Sequence, residues 1–380
     1  MASPGASPTF TADQDLALIE QAWNDIQDHY VDAKNLDNQK LAYAAISGIT
    51  DAVGDSGHTS FMTAAEAKAL DQSLSGTFVG IGVQVSPDDG KGGIVVASVY
   101  PDTPALAAGL RRGDRVISVD GKATTGQTHD QIISSIRGPE GTPVTLTIQR
   151  AGVADFDVTI VRKKFDVPMS SWVMVPGTKI ADIRLDQFAT GAGDAVIAAI
   201  KAAKVAGATA IIFDLRGNGG GFVADAVTVA SQFVGDGTVF QSVDSSGATK
   251  DVPVNPGGLA TDIPLVVLAN GDTASAAEIV TGAIQDAGRG KVVGEKTFGT
   301  GTVLGRFDLA DGSVMRIGVE RWLTRAGRPI WHEGLEPDFT VALPTTASPL
   351  LPDDLRDMTA AQVQASADLQ LDKAISLLGG

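Results

Sequence analysis

The feature that most constrains the fold of this chain is an apolar strand that runs directly into a helix. Residues 265–269 form a continuous apolar run that ends at the Asn270-Gly271 pair, a pattern typical of a buried strand and a tight turn. Small and apolar residues at helical spacing then run from Ser275 to about Ala287. A hydroxyl at such a helix N-terminus lies beside free backbone N–H groups and the positive end of the helix dipole. Ser275 is therefore either a simple helix cap or a group placed where developing negative charge is stabilised.

Two acidic residues are predicted to lie on the same side of this helix as Ser275. At about 100° per residue, Glu278 and Asp286 share its face. We expect both carboxylates to stabilise the site from that face of the helix.

Two further segments contain glycines where a ligand could approach the backbone. The first follows an apolar strand at 210–213 and reads Asp-Leu-Arg-Gly-Asn-Gly-Gly-Gly from Asp214 to Gly221. Because glycine has no side chain, consecutive glycines leave backbone N–H groups accessible. The second segment, from Gly294 to Gly301, follows the predicted helix and reads Gly-Glu-Lys-Thr-Phe-Gly-Thr-Gly.

Together the three segments resemble the carboxyl-terminal processing protease family, serine peptidases with a PDZ domain inserted before the peptidase core. The resemblance covers roughly residues 20–345. It implies that Ser275 is the nucleophile and that the amide of Ala276, with that of Gly220 or Gly221, forms the oxyanion hole. It also implies an α/β fold class, with a crotonase-like core, an inserted PDZ β-barrel and an N-terminal helical segment. No metal and no organic cofactor is implied.

The sequence departs from this family at the position of the general base. The family's usual base is a Lys in a Gly-Lys-Gly step, followed four residues later by a Gln. Here those positions hold Thr300 and Leu304, neither of which takes a proton from a serine at neutral pH. Thr300 remains a candidate hydrogen-bond partner in the site, but the base must come from elsewhere.

A Ser-His-carboxylate triad is the predicted substitute, because imidazole titrates near neutral pH. The related tricorn protease branch has its His just before the PDZ insertion and its Glu near the end of the core. By this resemblance, His58 is the base and Glu333 the carboxylate that orients it. The rival base is Lys296, which would act if burial disfavoured its charged form. His332 is a third candidate.

Residues 75–163 are predicted to form the PDZ module. The run from Thr77 to Gly82 resembles the carboxylate-binding loop of PDZ domains, and the next strand is the edge beside which a peptide would add. The resemblance implies protein or peptide substrates with apolar C-termini. The residues expected to bind them are Phe78, Val79, Gly80, Ile81, Gly82, Val83 and Ile132.

Five segments describe the predicted organisation. They are a linker at 1–10, a helical cap at 11–74, the PDZ domain at 75–164, the core at 165–345, and a C-terminal linker with one helix at 346–380. Within the cap, apolar residues from Leu16 to Ile26 recur at helical spacing and are expected to face the core. Within the core, strands at 180–185 and 210–215 flank a helix at 193–205, which favours a mostly parallel sheet.

Composition narrows the possible partners and locations. The formal net charge of −16, with no Lys/Arg run, argues against nucleic acid. The chain has no Cys, so it has no disulfide and no thiolate nucleophile. Residues 1–8 are polar and resemble a linker left by trimming. The family is usually exported or membrane-tethered, so the resemblance implies an extracytoplasmic protein with a signal or tether upstream, and it leaves a homo-oligomer open.

A competing hypothesis is a catalytically inactive scaffold that binds peptides and lost its chemistry with the family's Lys. A nucleophile and both oxyanion elements are retained in the sequence. This retention favours the peptidase.

Overall fold

A computed structural model describes residues 11–55, 58–87, 93–344 and 347–380. The predicted linker at 1–10 and the loop residues Ser56 and Gly57 lie outside the described residues.

The N-terminal segment is helical, as predicted, and ends close to the core. Its elements are α1 (Ala12–His29), a 3₁₀ turn (Ala33–Asn35), α2 (Asn38–Ala52), β1 (Ser60–Met62) and α3 (Ala64–Leu74). Thr11 and Thr63 start α1 and α3 with capping boxes, in which a side-chain oxygen satisfies a free N–H of the first turn. The expectation that the apolar face of α1 packs on the core is wrong. No residue of α1 is buried, and Leu16 is 65 % exposed.

The inserted module is an antiparallel sheet with two short helices. Its elements are β2 (Thr77–Gly80), β3 (Val83–Pro87), β4 (Ile94–Val99), α4 (Pro104–Ala107), β5 (Arg115–Val119), β6 (Lys122–Ala123), α5 (His129–Ile136), β7 (Pro143–Gln149), β8 (Phe156–Val161) and β9 (Lys163–Asp166). The main sheet runs β3-β4-β5-β7-β8, so β3 is an edge strand, as predicted. β2 pairs with β9 instead, in a two-stranded ribbon formed by the two ends of the module.

The core contains two sheets and the remaining helices. Its elements are β10 (Ser170–Met174), β11 (Ile180–Leu185), α6 (Ala192–Val205), β12 (Ala210–Asp214), α7 (Val223–Phe233), β13 (Thr238–Val243), β14 (Thr249–Pro253), β15 (Leu265–Ala269), α8 (Ala276–Asp286), β16 (Lys291–Gly294), β17 (Thr302–Asp308), β18 (Val314–Thr324), β19 (Phe339–Thr340), α9 (Pro352–Arg356), α10 (Ala360–Gln364) and α11 (Leu369–Leu377).

The central sheet runs β10-β11-β12-β15-β16-β19, and only the β10–β11 pair is antiparallel. The prediction of a mostly parallel sheet is therefore confirmed. Because β12 and β15 are parallel neighbours, the glycine-rich segment after one and the serine turn after the other meet at the same sheet edge. The second sheet runs β1-β18-β13-β14, with β17 also paired to β18.

Both faces of the central sheet are covered, which explains why its strands are continuous apolar runs. On β12, Ile211 and Phe213 pack with the residues of α6, α7 and α8, whereas Ile212 packs with the C-terminal helices. The predicted single C-terminal helix at 359–378 is wrong. The chain breaks after α10, and the Asp368 side chain caps α11.

A buried charge cluster joins these C-terminal helices to the glycine-rich segment. Arg216 donates to both carboxylate oxygens of Asp214 and to both of Asp368, at 2.8–3.2 Å. Asp182, on the neighbouring strand, is also fully buried, and its two oxygens have no hydrogen-bond partner among the described residues. Burial, and then the charge of Asp214, raise the pKa of Asp182 well above its ordinary value of 3.8, although Arg216 and Arg184 oppose the shift.

Replacing Asp182 with Asn is expected to flatten the dependence of stability on pH. Because the folded pKa is raised, the stability that protonated Asp182 contributes is complete below about 3.8 and is lost as pH rises through the folded pKa. Asn does not ionise, so the variant's free energy of unfolding, measured by urea denaturation, will fall less between about pH 4 and about pH 8 than the parent's. Asp51→Asn, an exposed change on α2, is the control. If the unfolding free energies of the parent and of Asp182→Asn changed equally with pH, this interpretation would be contradicted.

Candidate active site

Ser275 occupies a strained turn between β15 and α8. Its φ is 55° and its ψ is −118°, a conformation that is costly for a residue with a Cβ. Such a sharp strand-to-helix turn is how a nucleophilic hydroxyl is raised above a sheet edge. The serine N–H donates to Glu278 Oε2 at 2.9 Å, so the following helix holds the turn in place.

The glycine-rich segment packs directly against this serine. A Cβ added to Gly220 would lie 2.7 Å from the Cβ of Ser275 and 2.9 Å from the amide nitrogen of Ala276. A Cβ on Gly221 would lie 2.2 Å from the carbonyl oxygen of Phe188. Both positions therefore require glycine, and the close approach brings this backbone beside the start of α8.

Two backbone amides are available to an oxyanion. Ala276 is the first residue of α8, and the amides of a helix's first turn have no intrahelical acceptor. The amide of Gly220 already donates to Asn218 Oδ1 at 2.9 Å. The amide of Gly221 donates to no acceptor among the described residues. Of the two glycines named from the sequence, Gly221 is therefore the better donor in this conformation.

Glu278 joins the serine turn to the segment that follows β16. One of its carboxylate oxygens accepts from Thr297 Oγ1 at 2.5 Å and from the Gly299 amide at 2.8 Å. The other accepts from the amides of Ser275 at 2.9 Å and Thr300 at 2.8 Å. Burial raises the pKa of Glu278, although these four hydrogen bonds act in the opposite direction. The predicted supporting role of Glu278 thus has a concrete form.

Thr300 lies inside the site but supplies no base. Its amide donates to Glu278, its carbonyl accepts from Trp322 Nε1 at 2.8 Å, and the residue is 6 % exposed. Asp286, in contrast, lies at the far end of α8, about 16 Å along the helix axis from Ser275. It binds Arg328 and the amide of Ala326, so it supports the end of β18 and not the serine.

His58 forms a buried pair with Asp55. Its Nδ1 lies 2.8 Å from Asp55 Oδ1, and the residue is 3 % exposed. Asp55 also accepts from Trp331 Nε1 at 2.9 Å and from Thr59 Oγ1 at 2.8 Å. Burial favours a raised pKa for Asp55, but the bonds from His58, Trp331 and Thr59 outweigh it and hold the pKa below its ordinary value. An ionised Asp55 accepts hydrogen bonds only, so Nδ1 carries the proton and Nε2 is the basic nitrogen.

The His58 ring faces the same cleft as the serine. The Nε2 atom is buried and has no hydrogen-bond partner among the described residues, so it is not bonded to Ser275 Oγ in this conformation. The ring lies 6.0 Å from the ring of Phe298 and 6.0 Å from that of His332, measured between centroids. His58 and Ser275 thus line one cavity, with no hydrogen bond between them in this conformation.

The predicted partner of His58 must be corrected. Asp55, and not Glu333, is hydrogen-bonded to its Nδ1, while Glu333 is exposed on the surface. Lys296 is 53 % exposed and forms an ion pair with Glu336 at 3.0 Å, which is not the buried setting that a basic lysine requires. His332 is exposed as well.

The cleft that contains these groups has a volume of about 990 Å³. It is bounded by the glycine-rich segment, the serine turn, α3 and the strands β17 and β18. Its apolar lining suits a peptide chain, and includes Met62, Leu70, Leu74, Phe222, Phe298 and Trp322. No three His, Asp or Glu side chains are grouped so as to hold a metal ion anywhere in the described ranges.

The chain is similar to known proteins over both its core and its inserted module. Residues 179–341 match the model of Peptidase family S41, and residues 69–149 match the PDZ domain. Carboxy-terminal processing protease CtpA of Bacillus subtilis (strain 168) is 32 % identical over 344 residues, which is 90 % of this chain and 72 % of that protein. A Staphylococcus aureus (strain COL) protein described as "Probable CtpA-like serine protease" is 30 % identical over 96 % of this chain and 76 % of its own length. The solved structure of a photosystem II D1 C-terminal processing protease has a TM-score of 0.53, with 26 % identity, and covers 93 % of this chain and 99 % of that one.

The chain therefore belongs to the PDZ-containing carboxy-terminal processing proteases of peptidase family S41. It is a serine-type endopeptidase with a mixed α/β core. This membership favours the peptidase over the inactive scaffold that the sequence left open.

Sequence reasoning missed Asp55 and Trp331, which are hydrogen-bonded to each other beside His58, and Arg316, which lines the cleft. Asp55 lies three residues before His58 in a turn, a spacing at which a carboxylate reaches an imidazole. That spacing was visible in the sequence. The contribution of Trp331 was not, because it comes from a segment more than 270 residues away.

Replacing Glu278 with Gln is expected to cost both stability and activity. Glutamine has one acceptor oxygen and a donor group, so about two of the four donors that face this buried position lose their partner. We expect a loss of about 2–4 kcal/mol in unfolding free energy and a large fall in kcat, because Ser275 and Thr300 are no longer held together. Urea denaturation and a peptide cleavage assay measure the two effects. Glu20→Gln, an exposed change on α1, is the control, and an unchanged kcat in Glu278→Gln would contradict the role given to this carboxylate.

Proposed function

We propose that Ser275, His58 and Asp55 form the catalytic triad of a C-terminal processing endopeptidase. The observation that carries this proposal is the buried His58–Asp55 pair, whose Nε2 has no hydrogen-bond partner among the described residues and whose histidine lines the cleft that contains Ser275. Apo geometry of this kind does not exclude catalysis, because catalytic hydrogen bonds often shorten only when substrate binds.

The chemistry follows from these positions. As Ser275 Oγ attacks the peptide carbonyl, His58 Nε2 takes its proton, and Asp55 stabilises the imidazolium through Nδ1–H. The amides of Ala276 and Gly221 bind the oxyanion. When the C–N bond breaks, His58 returns the proton to the leaving amine. Water, deprotonated by His58, then hydrolyses the acyl-enzyme and regenerates the serine.

We further propose that the PDZ domain, taken as residues 75–164, captures apolar substrate C-termini. The amides of Ile81 and Gly82 donate to no acceptor among the described residues, whereas their carbonyls accept from Ala105 and Tyr100. These amides are therefore free for a terminal carboxylate, and the edge of β3 is open beside them. Two of the predicted ligand contacts must be corrected. The side chains of Ile81 and Ile132 are at most 2 % exposed and belong to the core of the domain. Phe78 and Val79 belong to the β2–β9 ribbon.

We also propose an extracytoplasmic location and self-assembly. The family resemblance supports an extracytoplasmic protein with an upstream membrane tether. No helix in the described ranges combines the length and apolar character needed to cross a bilayer. The exposed apolar residues of α1, including Leu16, Leu18, Ile19 and Ile26, support a homo-oligomer.

The triad is tested by kcat/KM for peptide cleavage in four variants. Ser275→Ala is expected to abolish activity, and His58→Ala to lower it by about 10⁴-fold or more. Asp55→Asn is expected to cost about 10³–10⁴-fold, since the imidazole then loses the group that fixes its tautomer. Lys296→Ala, which removes the rival base, is the matched control. Its kcat/KM is expected to stay within about twofold of the parent's, because the ion pair of Lys296 is on the surface. Loss of activity in Lys296→Ala while His58→Ala remains active would reject the triad.

A further inference from the structure

One arginine in the cleft has no carboxylate partner among the described residues. Five charged residues line the cavity, namely Asp71, Asp186, Asp272, Arg306 and Arg316. Arg306 is neutralised by Asp71 at 2.6 Å and Asp308 at 2.8 Å, and Asp186 is neutralised by Arg184 at 2.6 Å. The carboxylate of Asp272 accepts from Asn270 Nδ2 at 3.5 Å and forms no ion pair with a described residue. Arg316 has no hydrogen bond or ion pair from its side chain to any described residue.

The surroundings of Arg316 make this unpaired charge costly. The side chain is partly buried, and desolvation lowers the pKa of its guanidinium. Arg316 also pairs in register with Arg306 on the neighbouring strand, so the residue opposite it supplies no carboxylate. An anionic ligand that bound here would offset the cost of desolvation.

Strand register places Arg316 close to the reacting groups. In the β1–β18 pair it lies opposite Ser60, which is two residues from His58. It is also two residues along β18 from Gly318, where an added Cβ would lie 3.1 Å from Asp55 Oδ2. At about 3.3 Å per residue, each offset of two residues corresponds to about 7 Å, which is about two residues of an extended substrate.

We propose that Arg316 binds a carboxylate of the substrate chain, about two residues from the scissile bond, and so selects among peptides in the cleft. This proposal rests on the proposed peptidase function and adds a substrate preference to it. A guanidinium suits the role, because its planar donors bind a carboxylate in bidentate fashion. The carboxylate is either an acidic side chain or the free C-terminus of a short substrate tail.

The test uses a set of fluorogenic peptides with amidated C-termini. Each peptide has a single Glu at a different position, and each is compared with the peptide that has Gln at that position. The parent protein is expected to cleave one Glu peptide about tenfold better in kcat/KM than its Gln partner. Arg316→Gln abolishes this preference while it cleaves the Gln peptides within about twofold of the parent. Arg316→Lys retains part of the preference, since it keeps the charge and loses the planar donors.

A second pair of peptides identifies the source of the carboxylate. It compares a Gln-only peptide that has a free C-terminus with the same peptide amidated. A preference for the free acid that disappears in Arg316→Gln identifies the C-terminus, whereas a preference confined to the Glu series identifies an acidic side chain. Lys250→Gln, which removes one exposed positive charge on β14, is the matched control and keeps the parent's preferences.

Two results would overturn the proposal. In the first, the parent cleaves both members of every peptide pair equally well. In the second, Arg316→Gln keeps the parent's preference for the peptide with the carboxylate. If the parent cleaves no peptide, the peptidase mechanism fails separately. In that case, fluorescence anisotropy is used to measure how tightly labelled Glu and Gln peptides bind to Ser275→Ala, which tests the role of Arg316 without cleavage. Tighter binding of the Glu or free-acid peptide that disappears in Ser275→Ala/Arg316→Gln supports the subsite, and equal affinities reject it.

Discussion

The site depends on one buried carboxylate, that of Glu278. A serine with positive φ is strained, and a segment with glycines at 299 and 301 has little intrinsic preference for one conformation. Four donors from Ser275, Thr297, Gly299 and Thr300 converge on this single side chain. The serine turn and the following segment are therefore held by the same group. Burial of Glu278 is tolerated because every contact satisfies a polar atom that would otherwise be unpaired.

The same interaction holds the segment in which Thr300 stands at the position of the family's usual Lys. The amide of Thr300 is bound to Glu278, so the segment keeps its place although the Thr300 side chain is not basic. In the mechanism that we propose, the base comes instead from the turn before β1, where His58 is hydrogen-bonded to Asp55. Because β1 pairs with β18 and Trp331 donates to Asp55, the N-terminal segment is part of the active site. The proposed triad therefore couples docking of this segment on the core to catalysis.

The sequence predicted the core strands well because they are buried on both faces. The strands at 180–185 and 265–269 are uninterrupted apolar runs with turn residues after them, and the structure reproduces their limits. Position along the chain was a poor guide elsewhere. Glu333 was chosen by its place near the end of the core, yet it is exposed, and Asp286 shares a helix face with Ser275 but lies too far along the axis.

Patterns of apolar residues also could not separate a core from a binding surface. Ile81 and Ile132 were predicted to contact a ligand and are buried in the PDZ core. The apolar stripe of α1 was predicted to be buried and is exposed. Amphipathic spacing identifies an apolar face, but the partner of that face is decided by tertiary packing. The break between α10 and α11 likewise depends on tertiary packing. Asp368, whose side chain caps α11, is also bound by the buried Arg216.

The distance between Ser275 Oγ and His58 Nε2 in a complex is the most direct test of this account. A crystal structure of the protein phosphonylated at Ser275 by a peptidyl fluorophosphonate, with fluoride as the leaving group, would give that distance in a transition-state-like geometry. We predict that Nε2 lies within about 2.6–3.2 Å of Oγ, with Asp55 still bound to Nδ1. A structure in which His58 stays out of reach while Lys296 Nζ contacts the serine oxygen would contradict the account.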